Sequence, residues 1–403
     1  MRAVHRIVSL FVVLITLYLG VTGIGIQGVD LHSLYTHVAP TDPNMMALRE
    51  DHDGPGDFAV ISSHDYLAPA LPADFDYRGA LSRLMGAERV ALADAAVDYA
   101  EIRMTSGGPT GRVLSGKQLL VYDFGSGQTR LGPVPETGDA RPASLRNQFK
   151  ALHRMTTFNM NWVLWINPVV GLALAVFIFT GLWMYFQLLA ARSRIKRNGW
   201  FWKAGGWWRT LHRWISLASA AFLIVVTLSG MFLAYESLVF GYYLSARLPA
   251  PGQPPKARPP SAITPLTDAQ LPSMLGTSLD AWRTTLPGQP LKVLRLRTYG
   301  GMPQGIVIAG LGDDTQQVAF NATTGKEVSV TEPGYPDTGF PFGWHAHQIA
   351  KQIHRGSYLG LTGRWMDFLS GLALIFLSIS GGWMYWEMWS KRRRSGRKAL
   401  IWT

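Results

Sequence analysis

VHRIVSLFVVLITLYLGVTG, residues 4–23, has a counterpart in LHRWISLASAAFLIVVTLSG, residues 211–230. Each stretch opens on a His-Arg pair and runs straight into apolar sequence. Each closes, eighteen residues after the histidine, on a small residue and a glycine: Thr22-Gly23 and Ser229-Gly230. Crossing the hydrocarbon core of a bilayer takes roughly 20 helical residues, and both stretches are that long. Four such runs occur, at residues 7–26, 162–187, 214–240 and 365–389. The chain reads as a polytopic α-helical membrane protein with four transmembrane helices.

The second helix of each half also has a copy. GLAL stands at 171–174 and at 371–374, and TGLWMY (180–185) pairs with SGGWMY (380–385). Upstream of these lie LHR (152–154) and IHR (353–355), and between the helices LLVYDFGSGQ (119–128) aligns with QVAFNATTGK (317–326). Matches at several places with nearly constant offsets are the mark of a duplication. Each unit is helix, outer segment, helix, so the copies share one orientation. They form two parallel repeats about a pseudo-two-fold axis along the membrane normal.

Basic residues set the orientation. The segment 188–213 carries Arg192, Arg194, Lys196, Arg197, Lys203, Arg209 and Arg213 with no acid; the tail KRRRSGRK (391–398) and the start, with Arg2 and Arg6, are similar. The predicted order in a bacterial inner membrane is therefore helix one (1–26), a first periplasmic domain (27–160), helix two (161–187) and a cytoplasmic loop (188–213). Helix three (214–240), a second periplasmic domain (241–363), helix four (364–389) and a cytoplasmic tail (390–403) follow. Both termini are then cytoplasmic. The formal charge of +12 is a topology signal, so the partner it implies is the lipid bilayer and no nucleic acid. The first run lacks a small-x-small cleavage site and reads as a retained anchor.

Each outer segment predicts a small α/β domain. The second has a helix over 267–286 and strands at 292–298, 305–310 and 316–321, after a Pro-rich linker at 249–265. The first has a helix at about 79–100 and strands near 111–124. The absence of cysteine excludes disulfides, thiolate-bound iron–sulfur clusters and c-type haem attachment. There is no dinucleotide fingerprint, P-loop or H-E-x-x-H.

Of ten histidines, four are followed by arginine: His5, His153, His212 and His354. These four are repeat equivalents. His5 and His212 start helices one and three on the cytoplasmic side, and His153 and His354 precede helices two and four on the outer side. The two-fold brings each pair face to face, which is the arrangement a six-coordinate haem iron needs. The expected cofactors are two b-type haems. Arg6, Arg213, Arg154 and Arg355 are candidates to pair with their propionates. Gly23 and Gly230, five helical turns from His5 and His212, fall at the level of the outer pair and leave room for a macrocycle. Gly181 and Gly381 do the same at the cytoplasmic level. A competing reading makes the His-Arg pairs interfacial anchors and the glycines helix-packing sites; four symmetric positions favour ligands. His345 and His347, spaced i,i+2 before helix four, are candidates for a metal, a substrate or an alternative haem ligand, against the competing reading of loop histidines near the interface. His32, a further alternative ligand, and His37 follow helix one and reach the same outer surface. The Trp-rich stretch 198–214 reads as an aromatic belt.

RTLHRWISL with LSG (209–230), and IHRGSYLGLTGR with GLAL and SGGWMYW (353–386), resemble the PepSY-associated transmembrane helix family. The outer segments resemble PepSY modules, and the two-unit, four-helix form is similar to bacterial inner-membrane ferric-siderophore reductases of the ferrioxamine type. That resemblance implies two b-type haems passing electrons outward to reduce siderophore-bound iron in the periplasm. It carries the family's motif histidines onto His212 and His354 and, through the repeat, onto His5 and His153. The longest cytoplasmic segment is too short for a flavin domain, so the donor is a separate cytoplasmic protein or a membrane quinol. The alternatives are a non-enzymatic PepSY regulator of a periplasmic protease and a siderophore permease.

Overall fold

The computed structural model describes residues 2–39, 41–53, 61, 63–93, 95–133, 144–155, 161–197, 199–247, 263–299, 301–328, 341–397 and 399. Most of the Pro-rich linker lies outside them. The helices are α1 (Arg2–Tyr35), α2 (Pro43–Asp53), α3 (Tyr77–Leu92), α4 (Leu145–His153), α5 (Ile166–Arg194), α6 (Trp207–Arg247), α7 (Leu271–Thr285), α8 (Gly343–His354) and α9 (Gly360–Arg394). The strands are β1 (Tyr99–Thr105), β2 (Gly108–Ser115), β3 (Gln118–Asp123), β4 (Thr129–Pro133), β5 (Ile263–Thr264), β6 (Leu291–Tyr299), β7 (Met302–Ala309), β8 (Gln316–Asn321) and β9 (Glu327–Val328). The chain divides into a helical unit, Met1–Tyr35 with Leu145–Gly252 and Gly339–Thr403, and a second unit, Thr36–Ser144 with Gln253–Thr338.

In the helical unit, four segments are long and apolar enough to cross a membrane: Ala3–Tyr35, Trp162–Arg194, Trp207–Val239 and Ser357–Arg394. This is a membrane protein. α1 packs on α5 and α9, and α6 packs on the same two helices, closing a ring; α4 lies against α1, and α8 against α6. Small residues bring α1 and α9 close. A Cβ on Gly20 would stand 3.0 Å from Ile375 Cγ1, and one on Gly371 would stand 2.8 Å from Ile24 Cγ1. Nearby, the Thr16 and Ser378 hydroxyls bond at 3.1 Å, as expected of small and polar residues between membrane helices.

The helices run past the apolar stretches. α1 continues from residue 26 to Tyr35 because its polar residues there turn inward and find partners. Asp30 is buried and accepts from Arg146 Nε at 2.6 Å and from Arg364 Nη1 at 2.8 Å. Gln27 Nε2 donates to the Arg355 carbonyl at 2.9 Å and to Asp367 Oδ2 at 2.6 Å. Between α8 and α9 the chain turns a tight corner. Gly356 has φ 71° and abuts the Gly363 carbonyl, so no side chain fits there.

The second unit is built on one antiparallel sheet in the order β4-β3-β2-β1-β6-β7-β8-β9, with β5 also paired to β6. Two small domains were expected, yet their strands join. β1 pairs with β6 from Tyr99↔Arg297 to Arg103↔Val293. Each segment alone would leave β1 or β6 as an unpaired edge, and joining removes both edges. Alternate residues of the central strands, Ala100, Ile102, Leu294 and Leu296, pack with Leu84 of α3 and Leu275 of α7 in one apolar core. On the opposite face Glu101 is fully buried and accepts from Arg103 and Arg295. The first helix is shorter than predicted. Ala93 has φ 52° and ends it, and Tyr99 and Ala100 belong to β1. The two aligned turns are alike in detail: Asp123 Oδ1 accepts from Gly125 and Ser126 N–H, as Asn321 Oδ1 does from Thr323 and Thr324.

Because the chain has no cysteine, the joined sheet has a direct test. Ala100 and Leu296 are register partners, and facing strand positions lie within disulfide reach. Ala100→Cys with Leu296→Cys should give one intrachain disulfide on mild oxidation, read from a peptide map of the unreduced chain. Free thiols throughout would contradict the pairing.

Candidate functional site

Four hydroxyl-glycine doublets occupy the ring helices: Thr22-Gly23 on α1, Thr180-Gly181 on α5, Ser229-Gly230 on α6 and Ser380-Gly381 on α9. Each faces one of the four repeat-equivalent histidines. His5 Nδ1 lies 2.9 Å from Thr180 Oγ1, and His212 Nδ1 2.7 Å from Ser380 Oγ. His153 Nδ1 lies 2.9 Å from Thr22 Oγ1, and His354 Nδ1 3.3 Å from Ser229 Oγ.

Every one of these hydroxyls also donates to a carbonyl one turn back in its own helix. Thr180 donates to Val176 at 2.7 Å, Thr22 to Tyr18 at 2.9 Å, Ser229 to Val225 at 2.7 Å and Ser380 to Leu377 at 3.3 Å. A hydroxyl has one proton. At Thr22, Thr180 and Ser229 that proton sits on a carbonyl 2.9 Å away or nearer, so the oxygen meets the imidazole as an acceptor and Nδ1 carries the hydrogen. Ser380, 3.3 Å from its carbonyl and 2.7 Å from His212, does not fix the tautomer in this way. At the first three the lone pair is then on Nε2, the nitrogen left to bind a metal. His354 gives the same answer independently, since its Nδ1 is 3.1 Å from the Val226 carbonyl, which only accepts.

The glycine of each doublet makes room for the ring. A Cβ on Gly181, Gly381 or Gly23 would stand 3.6 Å from Cε1 of His5, His212 or His153 respectively, and one on Gly230 would stand 2.9 Å from Cε1 of His354. The sequence suggested space for a macrocycle at these glycines; what stands against them is the imidazole itself.

The histidines fall at two levels. His5 and His212, with Gly181 and Gly381, line a cavity of about 750 Å³ at the end of the bundle where the basic residues gather. Its wall is mainly apolar, including Leu10, Val13, Phe177, Leu217 and Leu377, with Arg6, Arg209 and Arg213 among the polar lining. That volume is in the range of cofactor sites, roughly 300–1,000 Å³. At the other end His153 and His354 face each other with ring centroids 6.3 Å apart and planes 42° apart. Desolvation draws His153 down to about 4, helped by neighbouring His354, and desolvation lowers His354 as well. Both rings are neutral near pH 7, the form that ligates metals.

The four arginines are not equivalent. Arg6 and Arg213 line the cavity. Arg213 Nη2 also donates to the Trp202 and Ala204 carbonyls at 3.0 and 3.3 Å, and its guanidinium lies 4.4 Å from the centre of the Trp202 ring. Arg192 approaches the same ring at 4.6 Å. The Trp-rich loop thus folds back over the helix ends. At the far end Arg154 is exposed, whereas Arg355 is buried and donates to Ser357 Oγ at 2.7 Å.

Of the remaining candidates, His347 on α8 has Nδ1 2.8 Å from Oε2 of Glu236, a fully buried carboxylate on α6. His345 lies on α8 with its side chain outside the described residues, and His32 and His37 are exposed at and just after the end of α1. Among the described residues no group of three or more His, Asp or Glu is placed to hold a free metal ion. Sequence reasoning missed Glu236 and the four hydroxyls. The signal for Glu236 was its being the one acid in α6, since ionisable residues inside membrane helices are costly. The signal for the hydroxyls was the small residue before each glycine.

A family model, the PepSY-associated TM region, matches residues 2–387. The chain belongs to that family. No curated protein matches it.

The glycine contacts differ enough to be told apart. Gly230→Ala forces a shift of the His354 ring and should cost about 1–3 kcal/mol, as overpacking does. Gly23→Ala meets only ordinary contact and should cost less. Thermal unfolding of the detergent-solubilised protein reads the difference; equal losses would contradict the geometry.

Proposed function

We propose that this member of the PepSY-associated TM family is a di-haem electron conduit in a bacterial inner membrane that reduces a ferric siderophore. His5 and His212 hold one b-type haem and His153 and His354 a second. The observation that carries this reading is the fourfold pairing of Nδ1 with a helix hydroxyl, three of which already give their proton to a carbonyl. It leaves Nε2 lone pairs at both levels of the bundle.

The residues fit the group. At each level a pair of neutral imidazoles would hold the haem iron. Two imidazoles that would share one iron must face each other closely. The 6.3 Å between His153 and His354 supports that. When bound, haem supplies reversible one-electron chemistry. The chain does the rest. The hydroxyls hold the rings at one orientation, the glycines let them approach, and Arg6 and Arg213 offer guanidinium forks for carboxylates. The apolar wall keeps water from the pair.

The basic residues of 192–197 and 391–394 support a cytoplasmic basic end, with both long segments and their shared sheet in the periplasm. The matching doublets at both levels support two parallel repeats. Electrons enter at the basic end from a cytoplasmic donor or a membrane quinol and leave at the His153–His354 end. The substrate takes one electron, Fe(III) becomes Fe(II), and the less charged, softer ion is held less tightly by oxygen ligands and released.

The test is a dithionite-reduced minus oxidised spectrum of the purified protein with a haem count. Two b-type haems per chain are expected, falling to about one in His212→Ala with the far-end centre kept. Absence of b-type bands sinks the conduit. Reduced protein that no ferric siderophore reoxidises keeps the conduit and removes the substrate.

A further inference from the structure

α4 and α8 each carry one far-end histidine, and each is clamped to a ring helix two turns earlier. Arg146 stands seven residues before His153, and His347 stands seven before His354, about 10 Å along the helix axis. Arg146 is held by Asp30 of α1 and His347 by Glu236 of α6. On α6 the spacing repeats, with Glu236 seven residues past Ser229, the partner of His354. The His347–Glu236 and His354–Ser229 contacts therefore lie along one α6–α8 seam.

The two clamps occupy matching places and differ in chemistry. Arginine stays charged at any ordinary pH, and Asp30 takes a second cation, Arg364, at 2.8 Å. That clamp is fixed in charge. An imidazole against a carboxylate can gain or lose one proton. Glu236 is 0% exposed, and its second oxygen, Oε1, has no hydrogen-bond partner among the described residues. A buried oxygen without a partner is costly, and it is a ready place for a proton. The other charged or titratable groups at this end, on elements packed against α6 and α8, are few. They are Lys351 and His354 on α8, with His345 whose side chain is undescribed, Arg355 and Tyr358 in the corner, and Arg364 and Asp367 on α9. On α6 itself they are the exposed Tyr235, with Tyr242, Tyr243 and Arg247 whose side chains are undescribed. The charged residues of α5 and the remaining ones of α9, Arg192, Arg194 and Glu387 through Arg394, stand at the opposite end.

We propose that the Glu236–His347 pair is the proton-accepting site of the far-end redox centre. It takes up one proton for each electron held at the His153–His354 pair and gives it back when the electron leaves. The electron comes from the donor at the basic end, the proton from water at the far end, and both depart when a ferric siderophore is reduced. The reason is electrostatic. An added charge inside a bundle of low dielectric is costly unless matched, and this pair can match it where Arg146–Asp30 cannot. The inference rests on the di-haem reading.

The experiment is spectroelectrochemistry of the two-haem protein between about pH 6 and pH 8, the range in which imidazoles titrate. One proton per electron lowers the far-end midpoint potential by about 59 mV per pH unit, the tenfold equivalent for a one-electron couple. Glu236→Gln and His347→Gln should each flatten that slope and leave the basic-end centre as it was. A slope retained in both variants, or absent in the parent protein, overturns the proposal alone. A protein without b-type bands overturns the haem reading and this site with it. Should either variant lose its far-end centre, redox-difference infrared spectra of the parent decide. A protonated carboxyl or imidazolium band growing on reduction supports the site, and its absence overturns it.

Discussion

A serine or threonine inside a helix has one hydroxyl proton, and in this bundle those of Thr22, Thr180 and Ser229 go to the carbonyl one turn back. That local bond slightly destabilises and can bend a helix, and it sets the role of the oxygen beside it. The oxygen can then only accept, so an imidazole placed against it must present N–H. The adjacent glycine lets the ring come close enough for the bond to form. Hydroxyl and glycine act as one device, fixing position and, at three sites, tautomer, and the four histidines take their orientation from it.

The same device occurs at both ends of the bundle, yet the surroundings have diverged. At the basic end the histidines share a cavity walled by leucine, valine and phenylalanine and rimmed by arginine. At the other end two short helices deliver the histidines, and ionic clamps hold those helices. Asp30 with Arg146 and Arg364 forms a buried triad of one anion and two cations, so removing Asp30 leaves uncompensated buried charge at a cost of about 3–5 kcal/mol. The corresponding clamp in the second half is Glu236 with His347, which has the same reach and a titratable proton.

Much of this was legible in the sequence. The four spans stand out because lipid-facing and core-facing positions are both apolar, and the duplication stands out because HR, GLAL and WMY recur at near-constant offsets. The histidine set followed from the duplication. What stayed hidden depends on partners distant in sequence. α1 reads as ending at residue 26 because Gln27, Asp30 and Ser33 are polar, and nothing local says that Arg146, Arg364 and Arg355 will meet Gln27 and Asp30. The joining of β1 to β6 was hidden for the same reason. Alternation marks a strand and its two faces but not which edge it will share. The hydroxyls were visible at the right places, but their role needs the angle between two helices, which composition does not carry.

The central claim is that each level of the bundle offers two Nε2 lone pairs to one iron. Electron paramagnetic resonance of the oxidised protein, grown with nitrogen-15 histidine, tests it most directly. The account predicts two low-spin ferric centres, each showing hyperfine coupling to two histidine nitrogens. High-spin iron, or a single coupled imidazole at either centre, would contradict it.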